Sequence, residues 1–234
     1  MDGHQDWFNL TTYTPVEMVL FAGGCWLWVV AYVVIIRDIR RYKFVEMPTI
    51  AGTGNFAWEF CFSWIAPFTD MGWVPFAAYR AWFFLDMYIW YNVVKYAQYD
   101  TTISLFRKYK WWYLSIMLAM WIIGFQTFRM SGLEWIIGAR TAYFLNGVIA
   151  IQYVVNYLRL GPKYPFSLHV AWMKGLGTGM NTVFMFMHFP SDHFLHFCGV
   201  VIAICDIIYF SMLFRDRRRG IQPFEAPLPV PAIS

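Results

Sequence analysis

Two acidic residues in the most apolar parts of this sequence, Glu59 and Asp206, are the strongest candidates for chemistry. A carboxylate at membrane depth costs several kcal/mol unless it is paired or protonated, so such residues usually mark functional sites. Because burial penalises the charged form, a carboxyl in an apolar cavity can keep its proton near neutral pH and act as a general acid. Proton donation is therefore the chemistry that these residues suggest.

The neighbours of Glu59 have the spacing of a helix face. Asn55, Glu59 and Ser63 are four residues apart, which places them on one side of a helix. Trp58 is one of several tryptophans within apolar segments, where aromatic rings suit an apolar ligand and can stabilise a passing carbocation. This face predicts a cavity with few polar groups.

Comparable depths along other segments extend the predicted site. Asp206 and Asp86 fall at about the depth of Glu59, so several carboxyl groups could approach one cavity. We predict Glu59 and Asp206 as catalytic residues. The predicted substrate-binding residues are Asn55, Trp58, Ser63, Asp86, Asn181 and Tyr209.

Structural roles are the alternative for the same residues. Each carboxyl could be ion-paired with Arg80, Arg140 or Lys174. Asn55 and Asn181 could hydrogen-bond neighbouring helices, and Lys174 could extend to the cytoplasmic interface.

No motif in the sequence predicts a metal or another cofactor. His188, His193 and His196 cluster between two apolar segments but lack a dense histidine pattern, so we expect a structural or interfacial role. An Asp-Asp-x-x-Asp run, which would bind Mg²⁺ and diphosphate, does not occur in the sequence.

The elements that must position these residues are membrane helices. The chain has 234 residues, of which 59% are hydrophobic and 14% charged, against about 25% charged in soluble domains. We predict an all-α membrane protein, a seven-transmembrane-helix bundle in a single domain over 1–234, with a flexible tail at 221–234. The predicted spans are 16–36, 47–66, 74–95, 111–128, 137–157, 168–188 and 194–214.

Basic residues set the predicted topology. Fourteen of the eighteen Lys and Arg residues fall in alternate connections, which predicts an N-terminus outside or lumenal and a cytoplasmic C-terminus. The net charge of +4 therefore needs no nucleic-acid partner. The fourteen are Arg37, Arg40, Arg41, Lys43, Lys95, Arg107, Lys108, Lys110, Arg159, Lys163, Arg215, Arg217, Arg218 and Arg219.

Three stretches resemble one family. Met-Pro at 47–48 followed by Asn-Phe-Ala-Trp-Glu at 55–59 resembles the second helix of the paxilline-type membrane terpene cyclases, which include fungal meroterpenoid and indole-diterpene enzymes. Asp-Ile-Ile-Tyr at 206–209 resembles an Asp-x-x-Tyr in the family's last helix. Lys-Gly-Leu-Gly at 174–177 is similar to a basic region in its sixth, although relatives often have Arg in place of Lys.

The resemblance implies a terpene cyclase of secondary metabolism. Such enzymes protonate a terminal epoxide or alkene of a prenylated, epoxyfarnesyl-type substrate, and a cation cascade then closes fused rings without a metal, as an isomerase or lyase. The family's two carboxylates match Glu59 and Asp206, without an order between them. A prenyltransferase and an epoxidase would act upstream, in the ER membrane of a fungus or the inner membrane of a bacterium.

Two other functions are compatible with seven apolar helices. Buried carboxylates also serve proton-coupled transporters of small molecules, and a lipid-binding membrane protein would share the composition. Such transporters usually contain internal repeats, and none is evident here. The aromatic content of 22% favours an apolar ligand over a hydrophilic solute.

Overall fold

The computed structural model describes residues 6–66, 69–96 and 108–224, and these contain α-helices and no β-strand. The predicted all-helical fold is therefore confirmed, and each predicted apolar segment coincides with a helix. The helices are α1 (Pro15–Tyr42), α2 (Thr49–Phe60), α3 (Trp73–Tyr96), α4 (Lys110–Met130), α5 (Ala139–Leu160), α6 (Leu168–His188) and α7 (His193–Arg218). A π-helical turn, Cys61–Ile65, continues α2.

Three of the described helices, α1, α4 and α7, are long and apolar enough to cross a membrane by length and composition. The count of seven crossings stays a prediction. Of the predicted tail, residues 225–234 lie outside the described part of the chain. Phe224 just before them donates its backbone N–H to the carbonyl of Lys163 at 2.9 Å.

The helix ends follow from local sequence. Thr14 and Glu17 form a reciprocal capping box at the start of α1, and Pro15 occupies the first helical position. The helix ends at Lys43, which adopts the left-handed conformation (φ 54°). At α7, the Asp192 side chain accepts a hydrogen bond from the backbone N–H of Leu195 at 3.2 Å, which caps the first turn.

Close packing of α1 against α6 brings the central helices together. A Cβ added at Gly177 would lie 2.9 Å from the carbonyl oxygen of Gly24, so only glycine fits at this crossing. Gly177 belongs to the Gly-x-Gly-x-Gly run of α6, whereas Gly179 of the same run faces open space. The close approach sets the distance at which side chains of α1 and α6 meet.

Contacts between the connecting segments define two ends of the bundle. At one end, the Tyr13 hydroxyl donates to Asp70 at 2.7 Å, and His188 Nδ1 lies 3.2 Å from a Glu17 carboxylate oxygen. At the other end, the backbone N–H of Ser167 donates to Glu46 at 2.9 Å. The basic connections after α1 and α5 thus lie together.

Candidate functional site

A cavity of about 120 Å³ lies among side chains from α1, α2, α3, α5 and α6. Its wall is mainly aromatic and aliphatic, with a few polar groups, which is typical of a site for an apolar ligand. The aromatic lining residues are Phe21, Trp28, Tyr32, Trp58, Tyr79, Trp82 and Tyr143, and the uncharged polar ones include Asn55, Asn146 and Asn181. Glu59 is the acidic lining residue.

Glu59 lies in the last turn of α2, just before the π-helical turn. The residue is 5% exposed, and its Oε2 finds no hydrogen-bond partner among the described residues. A buried carboxyl oxygen that is left unsatisfied costs free energy, so it needs a reason to be there. A proton-accepting or proton-bearing group of a ligand would supply that partner.

Asn55 joins Glu59's helix to two neighbours. Its side-chain amide donates to the Tyr32 hydroxyl at 2.5 Å and to Asp86 Oδ2 at 2.8 Å. Asp86 is buried on α3 behind Asn55, within electrostatic range of Glu59. The amide thus holds α1, α2 and α3 in register around the cavity, and it places a second carboxyl near the first.

Trp58 is fixed in the cavity wall by both its polar and its aromatic atoms. Its indole N–H donates to Thr141 Oγ1 on α5 at 3.0 Å. The ring stacks on Phe62 at 4.6 Å and meets Tyr79 edge-on at 5.9 Å. Because the indole nitrogen is satisfied, the ring presents a rigid apolar surface to the cavity.

Asn181 reaches the cavity from α6, opposite α2. Its side chain hydrogen-bonds to the Cys25 thiol on α1, whereas Oδ1 of Asn146 on α5 is buried without a hydrogen-bond partner in the described part of the chain. Glu59 and Asn146 thus provide two unsatisfied oxygens at one cavity. Such a cluster is expected of a ligand site more than of a packed core.

Asp206 lies elsewhere, in an ion pair with Lys174. Both side chains are buried, and Lys174 is only 1% exposed. The expectation that Lys174 extends to the interface is therefore wrong, because a counter-ion on α7 holds it inside. Asp206 is absent from the lining of the Glu59 cavity, whereas Trp28, whose ring centre is 5.8 Å from Lys174 Nζ, contributes to that lining.

Ser63 and Tyr209 make contacts within the packed bundle instead of lining the cavity. The Ser63 hydroxyl donates to the carbonyl of Tyr79 at 3.2 Å, which ties the π-helical turn to α3. Tyr209 packs between Tyr153 and Tyr157, with ring centres at 5.2 and 5.8 Å. The structure thus brings Asn55, Trp58, Glu59 and Asn181 to one cavity, with Asp86 behind them.

Sequence reasoning missed the contribution of α1. Phe21, Cys25, Trp28 and Tyr32 all line the cavity, and their spacing of four, three and four residues marks one helix face. This spacing is visible in the sequence. It did not point to a site, because α1 has no charged residue near the middle of the helix.

Two acids outside the helices show how hydrogen bonds decide the effect of burial on a carboxyl. Burial raises the pKa of Glu46 to about 8, although the N–H of Ser167 donates to it. Burial also opposes the ionisation of Asp192, but hydrogen bonds from Trp135, Arg140 and the backbone of Leu195 outweigh it and lower its pKa. Both lie at the ends of the bundle, away from the cavity.

Comparison with known proteins adds an independent line of evidence. A model of the Pyr4-like transmembrane terpene cyclases matches residues 8–218. The terpene cyclase cle7 of Aspergillus versicolor is 25% identical over 139 residues, which cover 58% of this chain and 55% of that protein. The match thus spans about half the length of this curated relative. No solved structure matches the chain.

Proposed function

Because the chain belongs to the Pyr4-like transmembrane terpene cyclases, we propose that it is a membrane-embedded cyclase that protonates a prenylated substrate at Glu59. The observation that carries the proposal is the buried Glu59 carboxyl, whose Oε2 is unsatisfied at a cavity walled by aromatic rings. A carboxylic acid, an apolar wall and exclusion of water are what a proton-initiated cation cascade needs.

The proposed reaction begins at the substrate's terminal epoxide or alkene. The Glu59 carboxyl donates its proton to the epoxide oxygen, and the C–O bond opens to leave a tertiary cation. With an alkene, the proton adds to one carbon and leaves the cation on the other. Successive attack by neighbouring double bonds closes the rings, and loss of a proton from the final cation ends the cascade. Substrate and product have the same mass.

The position of Glu59 favours this residue as the donor. It is the acidic residue of the cavity lining, and its Oε2 has no hydrogen-bond partner among the described residues, so its carboxyl faces a bound substrate directly. The Asp206 carboxyl is instead engaged by Lys174 and is absent from the cavity lining. We therefore assign donation to Glu59, and to Asp206 a part in orienting the site through Lys174, which lies against the lining residue Trp28.

The remaining elements of the proposal concern the setting of the enzyme. All seven helices cross the bilayer, with the N-terminus outside or lumenal and the C-terminus cytoplasmic. The substrate is an aromatic or related acceptor that carries an epoxyfarnesyl-type chain, supplied by a prenyltransferase and an epoxidase. The host membrane is the ER in a fungus or the inner membrane in a bacterium.

The test compares Glu59→Gln with the wild-type protein in membranes that are given an epoxyfarnesyl-substituted phenol. The amide keeps the size of the side chain but is not a carboxylic acid. General acid catalysis contributes about 10²–10⁴-fold, so we expect product formation to fall at least ~100-fold. Mass spectrometry with chromatography detects the product as a cyclised isomer of unchanged mass.

A matched control is Asp38→Asn, which makes the same chemical change at a residue that does not line the cavity and that pairs with the exposed Arg37. It should cyclise the substrate at the wild-type rate. A folded Glu59→Gln variant with wild-type activity would remove Glu59 as the donor. A transporter or lipid-binding protein would leave the substrate open-chain in every sample.

A further inference from the structure

A second, larger cavity of about 450 Å³ lies between α1 and α3. We call it the lateral groove and define it by Met18, Ala22 and Trp26 on α1 and Val74, Ala78 and Leu85 on α3. The side chains of these six residues form an apolar wall. It therefore suits a hydrocarbon chain and offers little to a hydrophilic solute.

The lateral groove lies directly beside the Glu59 cavity and shares part of its wall. Phe21, Cys25, Tyr79 and Trp82 line both spaces. The Phe21 and Tyr79 rings meet edge-on across α1 and α3 with their centres 6.5 Å apart. Three of these shared side chains are aromatic, and together the four form the partition between the two spaces, which we call the aromatic partition.

The outer side of the groove faces away from the bundle. Ala22 and Ala78 are exposed, and Trp26 at its edge is 66% exposed. In a transmembrane protein this surface meets lipid hydrocarbon, and α1 is one of the helices apolar enough to span a bilayer. A lipophilic molecule can therefore reach the groove without passing through water.

Size explains why the Glu59 cavity needs such an extension. Sites that enclose a ligand of drug size measure about 300–1,000 Å³, and the Glu59 cavity is well below that at about 120 Å³. A fifteen-carbon chain with an acceptor ring exceeds it. The lateral groove supplies the missing volume directly beside it.

We propose that the lateral groove binds the polyprenyl chain of the substrate, which enters from the bilayer between α1 and α3. The terminal end passes the aromatic partition to reach Glu59, and the units nearer the acceptor occupy the groove. The proposal rests on the proposed function, since it takes its ligand from there. The wall that the groove shares with the Glu59 cavity is what assigns the groove to substrate and not to a lipid or a partner protein.

The first experiment fills the groove with Ala78→Trp and, separately, Ala22→Trp. The matched control is Ala203→Trp, an exposed alanine on α7. With an epoxyfarnesyl phenol, we expect KM to rise at least ~10-fold for both groove variants while kcat changes less. A ten-carbon epoxygeranyl phenol should be affected less, because its shorter chain depends less on the groove. Groove variants that behave like Ala203→Trp with both substrates would overturn the proposal.

The second experiment detects binding without turnover. A farnesyl phenol that lacks the epoxide and carries a diazirine on its ring is photo-crosslinked to wild-type protein in lipid nanodiscs. We expect labelled peptides from Pro15–Tyr42 and Trp73–Tyr96, and loss of that label when unlabelled farnesyl phenol is added in excess. Labelling elsewhere, or labelling that the competitor leaves unchanged, would contradict a substrate groove.

The two experiments separate failure of the groove from failure of the proposed function. Competed labelling of α1 and α3 in a protein that cyclises neither substrate would support the groove and reject the cyclase. Wild-type cyclisation by the protein, with KM and kcat unchanged in the groove variants, would support the cyclase and reject the groove.

Discussion

At the Lys174–Asp206 pair, a structural role of Asp206 as counter-ion can be distinguished from a role in the reaction. Both side chains are buried, so removing one partner leaves the other as an unpaired charge. Breaking such a pair usually costs about 3–5 kcal/mol, whereas replacing both partners by neutral residues is often tolerated.

We therefore predict that Lys174→Met strongly destabilises the protein and that the double variant Lys174→Met/Asp206→Asn regains most of the stability. Thermal unfolding in detergent measures the stability of both. If Asp206 takes part in the reaction, the stable double variant should still cyclise the substrate at least ~10-fold more slowly than the control variant Asp38→Asn does. Wild-type turnover in the double variant would show that Asp206 serves only to balance Lys174.

Single residues were predictable to the extent that their chemistry was conspicuous. Glu59, Asn55 and Asn181 stood out as polar residues in apolar segments, and the structure places all three at the cavity. Tyr32 did not stand out, because a tyrosine in an apolar helix is ordinary. The partner of Lys174 was also not decided by sequence, since the pairing depends on how α6 packs against α7.

At the scale of elements, the connection between α1 and α2 holds a buried acid that should make stability depend on pH. The pKa of Glu46 is raised to about 8 in the folded protein by burial, with Asp38 adding to the effect. The folded state therefore binds this proton more tightly than the unfolded chain does. Its contribution to stability is complete below about pH 4.5, the ordinary value, and is lost as the pH rises towards 8.

We predict that Glu46→Gln is more stable than the wild type at pH 8.5 and that the difference shrinks towards pH 5. Glutamine can still accept the hydrogen bond from Ser167, so the contact itself is kept. Thermal unfolding in detergent across this range measures the effect, and Asp6→Asn at an exposed position is the control. A stability difference that stays constant with pH would contradict the assignment.

Helix positions were the most predictable elements, because each apolar segment is long and is bounded by polar, proline or glycine residues. The π-helical turn at Cys61–Ile65 was not predicted, since it follows from how the end of α2 meets α3. The crossing of α1 and α6 was not predicted, although α6 contains a run of three alternate glycines. Which of those glycines touches α1 depends on the rotation of α6, and the structure gives that place to Gly177.

At the scale of the whole molecule, the distribution of charge and the contacts at the bundle ends describe the same arrangement. Basic residues follow α1, α5 and α7. The first two of these segments meet through Glu46 and Ser167, and Arg217 at the end of α7 donates to the carbonyl of Pro162 at 3.0 Å. Three basic segments thus share one end, and the positive-inside rule predicts that this end is cytoplasmic.

Opposite orientations of the two termini follow from an odd number of crossings, and they can be measured directly. We predict that, in sealed microsomes, added protease removes an epitope tag at the C-terminus and leaves a tag at the N-terminus intact. Permeabilising the microsomes with detergent should expose both tags equally. Digestion of both tags in sealed vesicles would require an even number of crossings. One of the seven helices would then lie along the membrane or be buried within the bundle. Among the described residues, only α1, α4 and α7 are long and apolar enough on their own to cross a membrane. The exception would therefore be sought first among α2, α3, α5 and α6.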